Sequence, residues 1–178
     1  MSKYRQWWQK VRDSYLEQTR GFQLGTVIES SRVCSYRIQE TPSTRWLGTQ
    51  ITETEEGLVL QGDFCPTRRG ICSRRGYNIA WFCGAADPFY LAEKFLQPQF
   101  DSLWAAEFLE STELSAAQRE RAQRAIEAGL KESVFRDICE QSELRPRYSY
   151  RADDLGLLSG IQQRFSQLWE ARNNVESA

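Results

Sequence analysis

Residues 57–96 contain two different hydrophobic periods in succession, and this change constrains the possible folds most. Residues 57–64 have the apolar and β-branched pattern of a strand, whereas the residues after Asp87 have apolar side chains at helical spacing. Asp87 is a favourable N-cap and Pro88 suits the first helical position. A chain in which strand and helix patterns occupy separate blocks is typical of the α+β class.

The rest of the chain extends these two blocks. The spacing predicts an N-terminal helix over residues 3–19, a sheet over about 22–84 and a helical half over about 87–172. We expect four to five antiparallel strands, with the C-terminal helices packed on one face of the sheet. A single domain, residues 1–178, is the expectation for a chain of this length, and two domains are the alternative.

Three local predictions follow from turn and cap residues. Gly57 closes a predicted hairpin with a positive φ. Residues 77–83 have aromatic side chains on both faces of a predicted strand, which suggests a central strand that is buried twice. Ser115 and Gln118 have the spacing of a capping box, and residues 115–140 are predicted as one helix with Gly129 on its inner side.

The absence of histidine is the most useful negative feature. It excludes catalytic triads that use imidazole as the base, and it makes catalytic zinc sites improbable because these usually use histidine ligands. The five cysteines do not have the short paired spacing of a structural zinc site, so we expect free thiols, no metal and no cofactor. The net charge of −1 gives no global attraction to nucleic acid or anionic lipid.

The sequence contains no run of 18 apolar residues, and its N-terminus lacks the apolar core of a secretory signal. We therefore expect no membrane contact and a cytoplasmic location.

The basic segment between the two last predicted strands contains Arg68, Arg69, Arg74 and Arg75. Four guanidinium groups on one connection could bind phosphates or acidic side chains. They could equally form a solvated hairpin tip, since exposed charge runs are often only solvated. A protein partner, nucleic acid and plain solvation all stay open as interpretations of this segment.

The first helix contains the pair Trp7 and Trp8, and Arg5 lies beside them. Adjacent helical residues cannot both point fully inward, so one of these tryptophans is a candidate for an exposed anchor. Tryptophan is enriched among the residues that dominate protein interfaces. The simpler interpretation places each of the two in the core.

The segment 57–96 also resembles a group of uncharacterised bacteriophage and prophage proteins. The shared features are a Gly-Asp strand end, a Gly-rich loop, a Gly-Tyr…Trp-Phe strand and a Tyr-Leu…Glu-Lys helix. The residues are Gly62, Asp63, Phe64, Pro66, Gly70, Ser73, Gly76, Tyr77, Trp81, Phe82 and the run 90–96. The resemblance implies a phage origin and an accessory role in the host bacterial cytoplasm, and no catalytic residues come with it.

We therefore expect a non-enzymatic phage accessory protein that binds a host protein or ribonucleoprotein complex, such as an anti-defence inhibitor of the anti-CRISPR type. The arginine segment and the Trp7–Trp8 helix would form the contact surface. Acidic helices could instead mimic nucleic acid, through Glu107, Glu110, Glu113 and Glu120. The alternative is a nucleic-acid-binding protein that uses residues 68–75 on phosphates. A third hypothesis is an enzyme that uses Asp63.

Overall fold

The computed structural model describes residues 2–41, 48–62, 71–85 and 87–176. The predicted α+β class is confirmed, with an N-terminal helix, an antiparallel sheet and a C-terminal helix that packs on the sheet. In chain order, the elements are α1 (Lys3–Gln18), β1 (Gln23–Glu29), β2 (Val33–Gln39), β3 (Gly48–Thr54), β4 (Gly57–Gly62), β5 (Ile71–Arg75), α2 (Ile79–Gly84), α3 (Pro88–Phe95), α4 (Ser102–Ser111), α5 (Ala116–Glu127), α6 (Glu132–Gln141) and α7 (Ala152–Glu176).

The chain forms two compact units. The first unit contains the start of α1 together with α4, α5 and α6, and the second contains the rest of α1, the sheet, α2, α3 and nearly all of α7. Their bounds are Met1–Trp7 with Pro98–Ala152, and Trp8–Gln97 with Asp153–Ala178. The expectation of a single domain stays a prediction.

The sheet is an antiparallel meander in the order β1-β2-β3-β4-β5. Tyr36 of β2 lies opposite Ile51 of β3, which in turn lies opposite Leu60 of β4, so that all three side chains share one face. All three are buried, and Tyr36 makes an edge contact with Trp169 of α7 at 5.0 Å between ring centroids. The predicted hairpin is also confirmed, because Gly57 has a φ of 143°.

The predicted strand over residues 77–83 is wrong. The fifth strand lies earlier, in part of the predicted basic loop, and residues 79–84 form the short helix α2. The Asn78 side chain accepts a hydrogen bond from the Trp81 N–H at 2.8 Å and so caps this helix. Ile79 and Phe82, three residues apart, are its buried side. A short aromatic run has no period that separates a strand from one and a half helical turns.

The predicted single helix over residues 115–140 is also wrong, because it is two helices, α5 and α6. Gly129 has a φ of 83° and so does not continue the helix, which contradicts its predicted place on an inner stripe. The capping box at the start of α5 is confirmed: the Ser115 Oγ accepts from the Gln118 N–H, and the Gln118 Oε1 accepts from the Ser115 N–H.

The predicted helical half ends with the long helix α7, which extends four residues beyond the predicted end at about 172. Its two glycines face α1. An added Cβ at Gly156 would lie 2.8 Å from the Cβ of Val11 and also against the Trp8 carbonyl oxygen, and one at Gly160 would lie 2.8 Å from the Tyr15 ring. These positions allow the backbones of α1 and α7 to approach closely. No helix in the described ranges has both the length and the apolar character needed to cross a bilayer.

Candidate binding surfaces

The predicted arginine segment lies only partly within the described residues. Arg68 and Arg69 fall outside the described ranges, as does Asp63, the candidate of the enzyme hypothesis. Arg74 and Arg75 belong to β5, where their backbones pair with β4. Part of the segment is therefore an edge strand of the sheet instead of a loop.

The two adjacent tryptophans of α1 differ in exposure. Trp8 is 4% exposed, whereas Trp7 is 44% exposed. Trp8 makes an edge contact with Phe89 of α3, at 6.4 Å between ring centroids. Arg5 is exposed, and its backbone N–H donates to the Ser2 Oγ at 3.1 Å, which caps α1. Trp8 therefore supports the packing of the second unit, whereas Trp7 and Arg5 belong to the first unit and have exposed side chains.

The second unit has a further group of aromatic side chains at its surface. We call Tyr77, Trp81, Phe89, Tyr90 and Lys94 the aromatic face. The ring of Trp81 lies 4.2 Å from that of Tyr77 and 6.0 Å from that of Tyr90, centroid to centroid. Phe89 and Tyr90 are 42% and 43% exposed, and the other three side chains are half-buried. The rings of Tyr77, Trp81 and Tyr90 thus contact one another in series, and Phe89 precedes Tyr90 in α3.

Buried rings support this patch from below. Trp81 lies 6.3 Å from the ring of Phe95, which is buried and makes an edge contact with Phe82. Phe82 is fully buried and in turn contacts Phe165 of α7. Because each ring rests on another, the aromatic face is anchored to the core of the second unit.

Lys94 adds a positive charge to the aromatic face. Its Nζ lies 5.0 Å from the centroid of the Tyr90 ring and donates to Glu93 at 2.8 Å. The hydrogen bond to Glu93 raises the pKa of Lys94 above its ordinary value, so the ammonium group keeps its charge. In the chain, the face begins two residues after Arg75.

The sequence interpretation missed this surface because it placed Tyr77 and Trp81 on a buried strand. Two signals were present. Asn78 is a good helix cap, and Ile79 and Phe82 have the spacing of three residues that places side chains on one side of a helix.

The first unit contains a cleft of about 660 Å³ between the start of α1 and α4. We call it the acidic cleft. Its lining residues are Ser2, Lys3, Trp104, Glu107, Phe108, Glu110 and Ser111. The Trp104 and Phe108 rings are stacked, with centroids 5.4 Å apart and planes 15° apart. A Glu107 oxygen accepts a hydrogen bond from the Tyr4 N–H at 2.7 Å.

Tyr4 connects the start of α1 to the chain that precedes α7. Its hydroxyl donates to the Tyr150 carbonyl oxygen at 2.5 Å and lies 3.3 Å from the Ser149 Oγ. Burial raises the pKa of Tyr4 to about 12. The wall of the acidic cleft formed by α1 is therefore held at two points, by Glu107 and by this hydroxyl.

The four acidic residues that the sequence suggested as a nucleic-acid mimic lie in different settings within the first unit. Glu107 and Glu110 line the acidic cleft. Glu113 is exposed in the connection between α4 and α5, and Glu120 on α5 forms an exposed ion pair with Arg124 at 3.6 Å. Only the first two share a cleft.

The described residues contain no cluster of three or more Cys, Asp or Glu side chains that could hold a metal ion. Cys34, Cys83 and Cys139 are free thiols. Burial raises the pKa of Cys83 and of Cys139, which keeps both protonated at neutral pH. Neither thiol has the lowered pKa of a reactive cysteine.

Comparison of this chain with protein-family models, with curated proteins and with solved structures gave no match. The resemblance of residues 57–96 to phage proteins stays a prediction. The structure does divide the residues of that resemblance into two groups. Phe82, Leu91 and Phe95 are buried, whereas Tyr77, Trp81, Tyr90 and Lys94 belong to the aromatic face.

Proposed function

We propose that this protein acts by binding, without catalysis, and that the aromatic face is its contact surface for a partner protein. The main support is the exposure of Tyr90, whose ring lies beside that of Trp81, while Trp81 in turn contacts Tyr77. Exposed apolar side chains that contact one another often mark a site of interaction with a partner. Tyrosine and tryptophan are the side chains most enriched at the energetic centres of protein interfaces.

The support beneath these rings favours binding as well. A ring that already rests on Phe95 or Trp8 loses little conformational entropy when a partner covers it. Lys94 sits at Tyr90 and supplies a positive charge. Because Glu93 already pairs with Lys94 at 2.8 Å, we expect the partner to present a mainly apolar surface to the rings.

We propose further that the partner is a host bacterial protein or complex, and that binding inhibits a defence system. The basis is the resemblance of residues 57–96 to phage and prophage proteins, since small phage proteins without an active site often act on host machinery by direct binding. The aromatic face lies wholly within that segment.

A nucleic acid is the second candidate partner, and one observation favours it. Arg74 and Arg75 come directly before the aromatic face in the chain, and single-stranded nucleic acid is commonly bound by aromatic platforms beside basic residues. The acidic balance of residues 87–147, with 12 Asp and Glu against 8 Lys and Arg, opposes this candidate.

The test is a pull-down from bacterial lysate with and without nuclease, in which the tagged wild-type protein is compared with Tyr90→Ala. Tyr148→Ala is the matched control, because Tyr148 is a tyrosine of similar exposure (37%) in the first unit. We expect a partner protein that survives nuclease, that binds Tyr90→Ala roughly tenfold or more weakly, and that binds Tyr148→Ala normally.

Equal recovery of the partner by Tyr90→Ala and wild type would refute the role of the aromatic face. Recovery of nucleic acid, with binding that falls steeply as salt rises, would establish the second candidate in place of the first.

A further inference from the structure

We propose that the acidic cleft binds an arginine side chain of a partner protein. The cleft combines two stacked rings with two carboxylates, and this combination matches a guanidinium group, which stacks on aromatic faces and pairs with carboxylates. The inference uses the first unit alone and does not depend on the proposed role of the aromatic face.

The aromatic wall of the cleft is held in place. Trp104 and Phe108 are half-buried and pack against the core of the first unit, and Phe108 makes an edge contact with the fully buried Phe135. The Asp101 carboxylate also caps the start of α4, where it accepts from the Leu103 and Trp104 N–H groups. The two rings therefore form a wall of the cleft that needs no rearrangement when a cation contacts it.

The carboxylates differ in what they already bind. Glu107 accepts the Tyr4 N–H through one oxygen, which holds its side chain toward the cleft. Glu110 is exposed and has no hydrogen bond or ion pair to any residue in the described ranges. A guanidinium can bond a carboxylate through two parallel N–H groups, and Glu110 has both oxygens available for it.

The charge balance of the cleft selects a cation. Lys3 is the one basic side chain among the lining residues, against Glu107 and Glu110. A phosphate or carboxylate ligand would meet repulsion from both glutamates. The volume of about 660 Å³ lies in the range of small-ligand sites. It exceeds the space that one arginine side chain fills, so it also admits the flanking peptide.

The test uses the full chain and a capped Gly-Arg-Gly peptide, with binding followed through the indole N–H signal of Trp104 in 15N NMR spectra. The capped citrulline peptide is the matched probe, because it keeps the shape and loses the charge. We expect it to bind about tenfold more weakly. Glu110→Gln should weaken binding of the arginine peptide about threefold to fivefold, as the loss of one exposed ion pair predicts.

Glu113→Gln is the control variant, because Glu113 is an exposed acid three residues further on that does not line the cleft. It should bind the arginine peptide as the wild type does, and so should Tyr90→Ala. Equal effects of Glu110→Gln and Glu113→Gln would overturn the assignment. The assignment would also be overturned if the citrulline peptide, or a capped lysine peptide, bound at Trp104 as tightly as the arginine peptide.

Discussion

The close approach of α1 and α7 makes Gly156 a position where one added methyl group should be costly. In Gly156→Ala, the new Cβ would overlap the Trp8 carbonyl oxygen and lie 2.8 Å from the Cβ of Val11. The first obstacle is backbone and the second is the stiff base of a β-branched side chain. Neither can turn away, so the two helices have to move apart.

Two opposing effects set the magnitude. Alanine in place of glycine in a helix interior stabilises by about 1 kcal/mol through backbone entropy. Overpacking of a tight contact costs about 1–3 kcal/mol, and the upper end applies where backbone is the obstacle. We therefore expect a net loss of about 2 kcal/mol, which corresponds to a fall of roughly 4–8 °C in Tm for a chain of this size.

The assay is thermal unfolding followed by circular dichroism, with Gly84→Ala as the matched control. An added Cβ at Gly84, in α2, meets no other described atom within 4 Å, so this variant should unfold at or slightly above the wild-type temperature. If Gly156→Ala unfolds at the wild-type temperature or above it, α1 and α7 tolerate the added methyl group, and the expected loss of stability is refuted.

Three further predictions concern titration and capping. Burial raises the pKa of Tyr15 to about 12 from an ordinary value of 10.0, so the folded protein keeps a proton that the unfolded chain releases. The free energy of unfolding should therefore fall as pH rises from about 10 to 12, and Tyr15→Phe should make that fall shallower in thermal unfolding measured across this range. Glu107→Ala removes the carboxylate that accepts the Tyr4 N–H at the start of α1, and it should lower the free energy of unfolding by about 1 kcal/mol in urea titrations. An unchanged urea midpoint would contradict this stabilising role of Glu107. Ser115→Ala should cost a similar amount of about 1 kcal/mol by the same measurement, while Ser115→Asp, which keeps an acceptor, should cost less.

The local motifs were predictable because their partners are close in sequence. Asp87 caps α3 through the N–H two residues on, and Ser115 caps α5 through the N–H three residues on. No distant part of the chain is needed to recognise either cap. Gly57 belongs to the same class, since the positive φ of a tight hairpin can be inferred from the residues of the turn itself.

Predictions failed where two structures suit the same short pattern. The apolar side chains of residues 77–83 suit the alternation of a strand and also suit one side of a helix. The run is too short for its period to decide between strand and helix. At Gly129 the chain had the composition of one continuous helix, yet α5 ends there, and Leu130 is buried in the core of the first unit. A glycine can lie inside a helix and can also end one, so the pattern alone did not decide between the two.

The sequence by itself determined the α+β class, the positions of most helices and strands, and the caps at Asp87 and Ser115, because these depend on periodicity and on hydrogen bonds between near neighbours. Tertiary structure alone decided the surfaces. The aromatic face requires α2 and α3 to bring Trp81 beside Tyr90, and the acidic cleft requires α4 to lie at the start of α1, about a hundred residues earlier. Such contacts join residues whose separation leaves no periodic signal in the chain, and only the packing of the elements creates them.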